Sequence, residues 1–431
     1  MKTAIVAVAA RQIWDSRGRP TVEAEIRLQN GAKGRGIAPA GASRGSFEAI
    51  DLRDGGERFG GFGVTQALAN VRGPIAAALK GMDGSDPLAI DQRLEALDGT
   101  AQFARLGGNA TVAVSLAVWQ AAAASQGLAL WRYLADDRAV RLPVPEIQIF
   151  GGGAHAGRRI DIQDLMVMVP GAGSVRVALE TTAEIYRVAG RLMEEAGRLS
   201  GTADEGGWWP NFSSNEEALE MLMRAIEGAG FRPGEEVFIS LDIAASELFD
   251  GVHYHLTLED RVLESAEMEA LIEGWAQRFP ILSIEDPLAE DRTDQMTRLT
   301  QRLCPRCQIV GDDFLVTDAM RVEDAARTGA CSAALIKINQ SGTLSRARRA
   351  LEAAKVARWA SIVSARSGES EDVAISDLAV GWDAGQIKVG SFARGERMAK
   401  WNALLRIEEE MGAGASFAGW GAFPGSLRRR P

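Results

Sequence analysis

The 431-residue sequence predicts an α/β protein, a (β/α) barrel preceded by a smaller α+β domain. Three observations lead there. The length exceeds one ordinary core and suits a barrel of about 250 to 300 residues plus a second unit. The N-terminal part reads as strands followed by alanine-rich helices. The remainder repeats one theme, a short apolar run that ends on a polar or charged residue and gives way to a helical stretch.

Residues 5–28 read as strands. The turn Asp15-Ser16-Arg17-Gly18-Arg19-Pro20 divides them, and Val22, Ala24, Ile26 and Leu28 alternate after it. Lys2 and the apolar run from Thr3 to Ala10 imitate a short secretory leader. The run continues through Ile13 and Trp14 into the turn, so it is read as a strand. Residues 64–134 read as helices, most regularly from Val112 to Ala124. The prolines of Leu142-Pro143-Val144-Pro145 stop a helix and stiffen a linker, which sets the expected division: residues 1–140, a barrel over 141–415, and a tail over 416–431.

Six barrel units follow from the apolar runs. Val237–Leu241 precedes Asp242, Ile281–Ile284 precedes Glu285, and Ile309–Gly311 precedes Asp312. Ala334–Ile336 precedes Lys337, Ser361–Val363 precedes Ser364-Ala365-Arg366, and Gly385–Ile387 precedes Lys388. Catalytic groups of such barrels stand at the C-terminal ends of the strands, so one geometric rule gathers these residues around one mouth. Any one of them can simply terminate a strand. Six in register, acids first and bases after, describe a metal site facing an anion site.

The composition excludes several classes. With 46% hydrophobic and 25% charged residues and no apolar stretch near the roughly 20 residues that span a bilayer, no membrane partner is expected. A formal charge of −10 gives no general attraction to nucleic acid, and the one dense basic run, Arg428-Arg429-Arg430, reads as a solvated terminus. Cys304, Cys307 and Cys331 lack the partners that would complete a zinc site, so they read as ordinary thiols in a reducing cytoplasm. His253 and His255 fall in a surface hairpin pattern.

Asp242, Glu285 and Asp312 offer hard oxygen ligands without histidine or cysteine, the combination that selects magnesium. A metal there neutralises a substrate carboxylate so that an adjacent carbon can lose its proton. Lys337 then serves as general base, its pKa expected to be lowered by the metal and by Lys388. Arg366 beside Ser367 suits a bidentate grip on phosphate, or else a structural ion pair. The loop Ala40-Gly41-Ala42-Ser43-Arg44-Gly45 can close over a ligand, and Asp204-Glu205-Gly206-Gly207 brings a carboxyl group onto a closely approaching backbone. His155 lies in a glycine-rich loop long enough to fold over such a site.

Taken in order, DSRGRPTVEAE at Asp15, DEGGWWPN at Asp204, LDIAASE at Leu241, SIEDPLAEDRTD at Ser283, GDDFLVT at Gly311, LIKINQSG at Leu335, RSGESED at Arg366 and GQIKVGS at Gly385 resemble the enolase family over nearly the whole chain. The resemblance implies an enolase-type (β/α)8 barrel that begins ββαα before (βα)6, an α+β capping domain, and a cytoplasmic homodimer or higher homo-oligomer. It implies Mg2+ as cofactor, with Asp242, Glu285 and Asp312 holding a first ion and Ser43 joining a second that arrives with substrate. Lys337 corresponds to the base, Glu205 to the acid that assists hydroxide departure, Lys388 to a carboxylate contact, Arg366 and Ser367 to phosphate contacts, and His155 to a mobile-loop histidine near the phosphate. Gly41, Ser43 and Arg44 fall on the substrate loop.

Departures from the family pattern concentrate on the substrate side. Ala365 stands where the family has histidine, Asp164 where it has glutamate, Phe150 where it has an asparagine before Gly-Gly, and the Ser-Gly-Ala-Ser-Thr loop reads Ala40-Gly41-Ala42-Ser43-Arg44. Trp208 and Trp209 make the acid loop bulkier. The activity this implies is conversion of 2-phosphoglycerate to phosphoenolpyruvate and water. A paralogue acting on a related phospho- or phosphono-carboxylate, such as carboxyphosphonoenolpyruvate synthase, is the alternative, and an inactive binding protein is a third reading.

Overall fold

The computed structural model describes residues 2–43 and 45–427, and of His155 the backbone alone. Three antiparallel strands, β1 (Ile5–Trp14), β2 (Pro20–Leu28) and β3 (Lys33–Ile37), pair in chain order. The alternation at Val22, Ala24, Ile26 and Leu28 is realised as one fully buried face of β2. The sequence had not revealed β3. Its Gly34 and Gly36 let the helix Gly108–Ser125 lie directly on the sheet, since a Cβ at Gly34 would stand 2.0 Å from the Ala117 carbonyl oxygen. That helix is alanine-rich because it is enclosed on nearly every side.

The second unit is a closed eight-stranded barrel. Its first strands are β4 (Val144–Gly151) and β5 (Asp164–Met168), which pair antiparallel. The helix Val175–Glu195, a hairpin of β6 (Leu199–Thr202) and β7 (Trp208–Pro210), and the helix Asn215–Gly228 come next. From β8 (Phe238–Asp242) onward the units are regular, except for a surface hairpin of β9 (Tyr254–Leu256) and β10 (Arg261–Leu263) that carries His255 and follows His253. The remaining barrel strands are β11 (Ile281–Glu285), β12 (Gln308–Gly311), β13 (Ala333–Ile336), β14 (Ala360–Ser364) and β15 (Gly385–Gly390), and β15 pairs with β4 to close the ring. β5 runs antiparallel to both neighbours, so the barrel opens ββαα before its six βα units.

Two stretches differ from their sequence appearance. Val144-Pro145, read as linker, begins the first barrel strand, where proline is tolerated at the start. Residues 416–427, set apart as a tail, fold back under the barrel: Ala418, Ala422, Phe423 and Leu427 pack with Val144, Met168, Phe238 and Leu282. Arg428, Arg429 and Arg430 lie outside the described residues. No helix among the described residues is long and apolar enough to cross a membrane.

Candidate active site

Strand register sets the site. Asp164 at the start of the antiparallel β5 pairs with Asp242 on β8, Asp242 with Glu285 on β11, and Ser364 on β14 with Lys388 on β15, so these residues stand level at the barrel mouth. Lys388 Nζ donates to Asp242 Oδ2 and Glu285 Oε2 at 2.7 Å each and lies 3.3 Å from Asp164 Oδ2. Burial alone lowers the pKa of this ammonium, but Asp242 and Glu285 outweigh it and hold the group charged.

Lys337 Nζ donates to Asp312 Oδ2, and Gln340 Nε2 donates to Asp312 Oδ1 at 2.8 Å. Among the chain's own groups, burial, Arg366 and Lys388 lower the pKa of Lys337, but the Asp312 carboxylate outweighs them and the net shift is upward. Burial raises Asp312, yet Lys337 and Arg366 bring it below the usual carboxylate range.

The donor set fits a divalent cation. Asp164, Asp242, Glu285 and Asp312 surround two lysines, an excess of two carboxylates over ammonium groups. Glu285 Oε1 is buried without a hydrogen-bond partner, and burial and Asp242 push that carboxyl well above its ordinary pKa. A cation would satisfy both conditions.

The tightest acidic trio among the described residues is Asp286, Asp312 and Asp313, whose oxygens lie within 4.8 Å of one another. Asp286 is chiefly structural. Its two oxygens accept the backbone N–H groups of Asp312 at 2.9 Å and Asp313 at 2.7 Å, which fixes the end of β12, and burial lifts its carboxyl to about 8.

A small cavity gathers Gly41, Ser43, Asp164, Glu205, Asp242, Lys337, Ala365, Arg366, Ser367 and Lys388. Glu285 and Asp312 stand behind the lysines that they hold. Arg366 is engaged from the capping domain, where Nη1 donates to Glu48 Oε2 at 3.1 Å and Nη2 to the Ser43 carbonyl at 2.8 Å, and within the barrel, where Nη1 donates to Asn339 Oδ1 at 3.1 Å. Arg366 is thus held in a buried ion pair and also lines the cavity. Gly41 is required beside it, because a Cβ there would fall 1.8 Å from Arg366 Nη2.

Arg17 Nη1 donates to Ser367 Oγ at 3.1 Å, and the fully buried Arg397 holds the Arg366 and Ser367 carbonyls at 2.7 and 2.6 Å. Gln163 Nε2 donates to Asp242 Oδ2 at 3.0 Å. Sequence reasoning missed Glu48, Gln163 and Arg397. Only Gln163, next to Asp164, carried a local signal.

The departures sort by position. Ala365 lines the cavity. Phe150 turns away to pack edge-on against Phe212 at 5.4 Å, and Trp208 stacks on Tyr186 at 4.5 Å, so neither fills the cavity. Trp209 lies beneath Arg159, with the guanidinium 5.4 Å from the ring centroid. Arg44 and the His155 side chain lie outside the described residues; the His155 backbone belongs to the short turn Gly153–Ala156.

Comparison with known families agrees with this architecture on both sides of the linker. Residues 5–134 match the enolase N-terminal domain and residues 139–424 the enolase C-terminal TIM barrel domain. With nearly the whole length covered by the two matches, and a capping unit, a ββαα-initiated barrel and an acid-and-lysine mouth in place, the chain belongs to the enolase family.

Proposed function

We propose that the protein is a magnesium-dependent carbon–oxygen lyase that converts 2-phosphoglycerate to phosphoenolpyruvate and water. One observation carries this reading: a single cavity presents Lys337, Glu205, Arg366, Ser367 and Lys388 together. Magnesium held by Asp242, Glu285 and Asp312, joined by a second ion at Ser43 when substrate binds, would supply the positive charge a carboxylate needs as the adjacent carbon loses its proton.

The chain's own groups divide the remaining work. Lys337 takes the carbon-bound proton on Nζ. Its pKa is held up by Asp312, so engagement of Asp312 as a ligand removes that pull and leaves burial, which favours the neutral amine. Lys388 contributes a fixed positive charge toward the substrate carboxylate. Arg366 and Ser367 orient the phosphate, and Glu205 gives its proton to the departing hydroxide so that water leaves as the carbon–oxygen bond breaks. The same reading carries a homodimer or higher homo-oligomer.

A second reading, a related phospho- or phosphono-carboxylate substrate of the kind handled in phosphonate biosynthesis, is favoured by Ala365, whose methyl leaves the cavity wall without a donor. One assay separates the two: phosphoenolpyruvate formation from 2-phosphoglycerate at saturating magnesium, comparing the natural protein with Lys337→Ala and Ala365→His. Turnover of about 10 per second or more, abolished in Lys337→Ala, supports the first. Barely detectable turnover that rises in Ala365→His rejects it in favour of the second.

A further inference from the structure

Gln148 lies on β4, 1% exposed, between the acid loop and the barrel mouth. The two ends of its amide can be told apart. The Gly207 backbone N–H donates to Gln148 Oε1 at 2.8 Å, and an N–H has nothing to accept with, so the other end, Nε2, is the one turned toward Asp164 Oδ1. An amide –NH2 only donates. Asp164 Oδ1 therefore accepts and carries no proton at that contact. The second oxygen of Asp164 faces the Lys388 ammonium at 3.3 Å, another group that only donates. Asp164 is thus oriented by the Gln148 amide on one side and faces the Lys388 charge on the other.

The same glutamine seats the acid loop. Gly207 has no room for a side chain, since a Cβ there would stand 2.4 Å from Gln148 Oε1. Tyr186 Oη donates to the Gly206 carbonyl at 2.9 Å and the Ser391 N–H to the Glu205 carbonyl at 2.9 Å, which turns Glu205 into the cavity wall. We propose that Gln148 is a positioning residue that separates the roles of the two cavity carboxyl groups. It fixes the orientation of Asp164 and places Glu205 as the group that protonates the leaving hydroxide. The proposal rests on the elimination chemistry proposed above and adds the device that assigns its acid.

The test follows two rates in one sample. With magnesium and 2-phosphoglycerate in D2O, proton NMR reads exchange of the C2 proton, which needs only the base, and formation of phosphoenolpyruvate, which needs the acid as well. Gln148→Leu deletes both amide contacts. Gly207→Ala keeps Gln148 and displaces its amide with the added methyl, so a Gln148→Leu protein that fails to fold leaves the test intact. In both variants product formation is expected to fall about a hundredfold while exchange and KM stay within about threefold of the natural protein. Exchange and product formation falling together, or neither falling, overturns the role of Gln148 alone. A natural protein that neither exchanges nor forms product overturns the reaction assignment, and this role with it.

Discussion

Replacing Lys388 by methionine removes an ammonium group from the centre of three carboxylates. The side chain is 7% exposed, with Asp242 and Glu285 at 2.7 Å and Asp164 at 3.3 Å, so methionine fills the same volume and leaves the acids facing one another. Stripping one partner from a buried ionic group costs about 3–5 kcal/mol. Unfolding entropy of about 2.1 cal/mol/K per residue gives about 0.9 kcal/mol/K for 431 residues, so the loss corresponds to about 3–6 °C in Tm.

Protonation should relieve part of that loss. Glu285 already has a raised pKa through burial and the Asp242 charge, and without Lys388 that rise grows. A carboxyl whose folded pKa exceeds its unfolded one stabilises most at low pH and loses that contribution as pH rises. The deficit of Lys388→Met should therefore be largest in metal-free protein near pH 8, shrink toward pH 5, and shrink again when magnesium is added at pH 8. Scanning calorimetry under these three conditions reads it directly. A variant as stable as the natural protein at pH 8 without metal would refute the reasoning, as would a deficit indifferent to both pH and magnesium.

Three further outcomes follow from the same geometry. Burial lifts the Glu146 carboxyl to about 7 from 4.5, so this group's contribution to metal-free stability should fall by on the order of 3 kcal/mol as pH rises through that window; in Glu146→Gln, urea midpoints should fall less steeply across it than in the natural protein. Gly41→Ala puts a methyl 1.8 Å from Arg366 Nη2, and losing a charge-assisted contact worth about 1.5–3 kcal/mol should raise KM roughly ten- to a hundredfold with a smaller change in kcat, measured by steady-state kinetics. Magnesium at about one hundred times its Kd should add about 2.7 kcal/mol to the unfolding free energy, reversed by chelation, and Glu285→Gln should weaken that gain.

The barrel mouth was legible because these strands announce their own ends: an apolar run stops where Asp242, Glu285, Lys337 or Lys388 reaches the mouth, a local signal. β3 was hidden because Gly34 and Gly36 exchange the usual alternating pattern for close approach of a helix. β4 was hidden because Pro143 and Pro145 read as a linker, although Glu146, Ile147, Gln148 and Ile149 behind them alternate polar and apolar, the polar pair facing the barrel interior beneath the lysine of the last strand. The contact between Glu48 and Arg366 joins positions 318 residues apart in sequence, and neither side of it carries a pattern that points to the other. The upward pull of Asp312 on Lys337 was hidden for a related reason. Residue types gave its neighbours, but only distance shows that Asp312 outweighs Lys388 among the chain's own groups.

The most direct measurement of the central claim is deuterium incorporation at C2 of 2-phosphoglycerate in D2O, with and without magnesium, for the natural protein and for Lys337→Ala. The account predicts exchange that requires magnesium and drops about a thousandfold in Lys337→Ala, within the range a positioned general base supplies. Exchange that persists in the variant, or that survives removal of the metal, would contradict it.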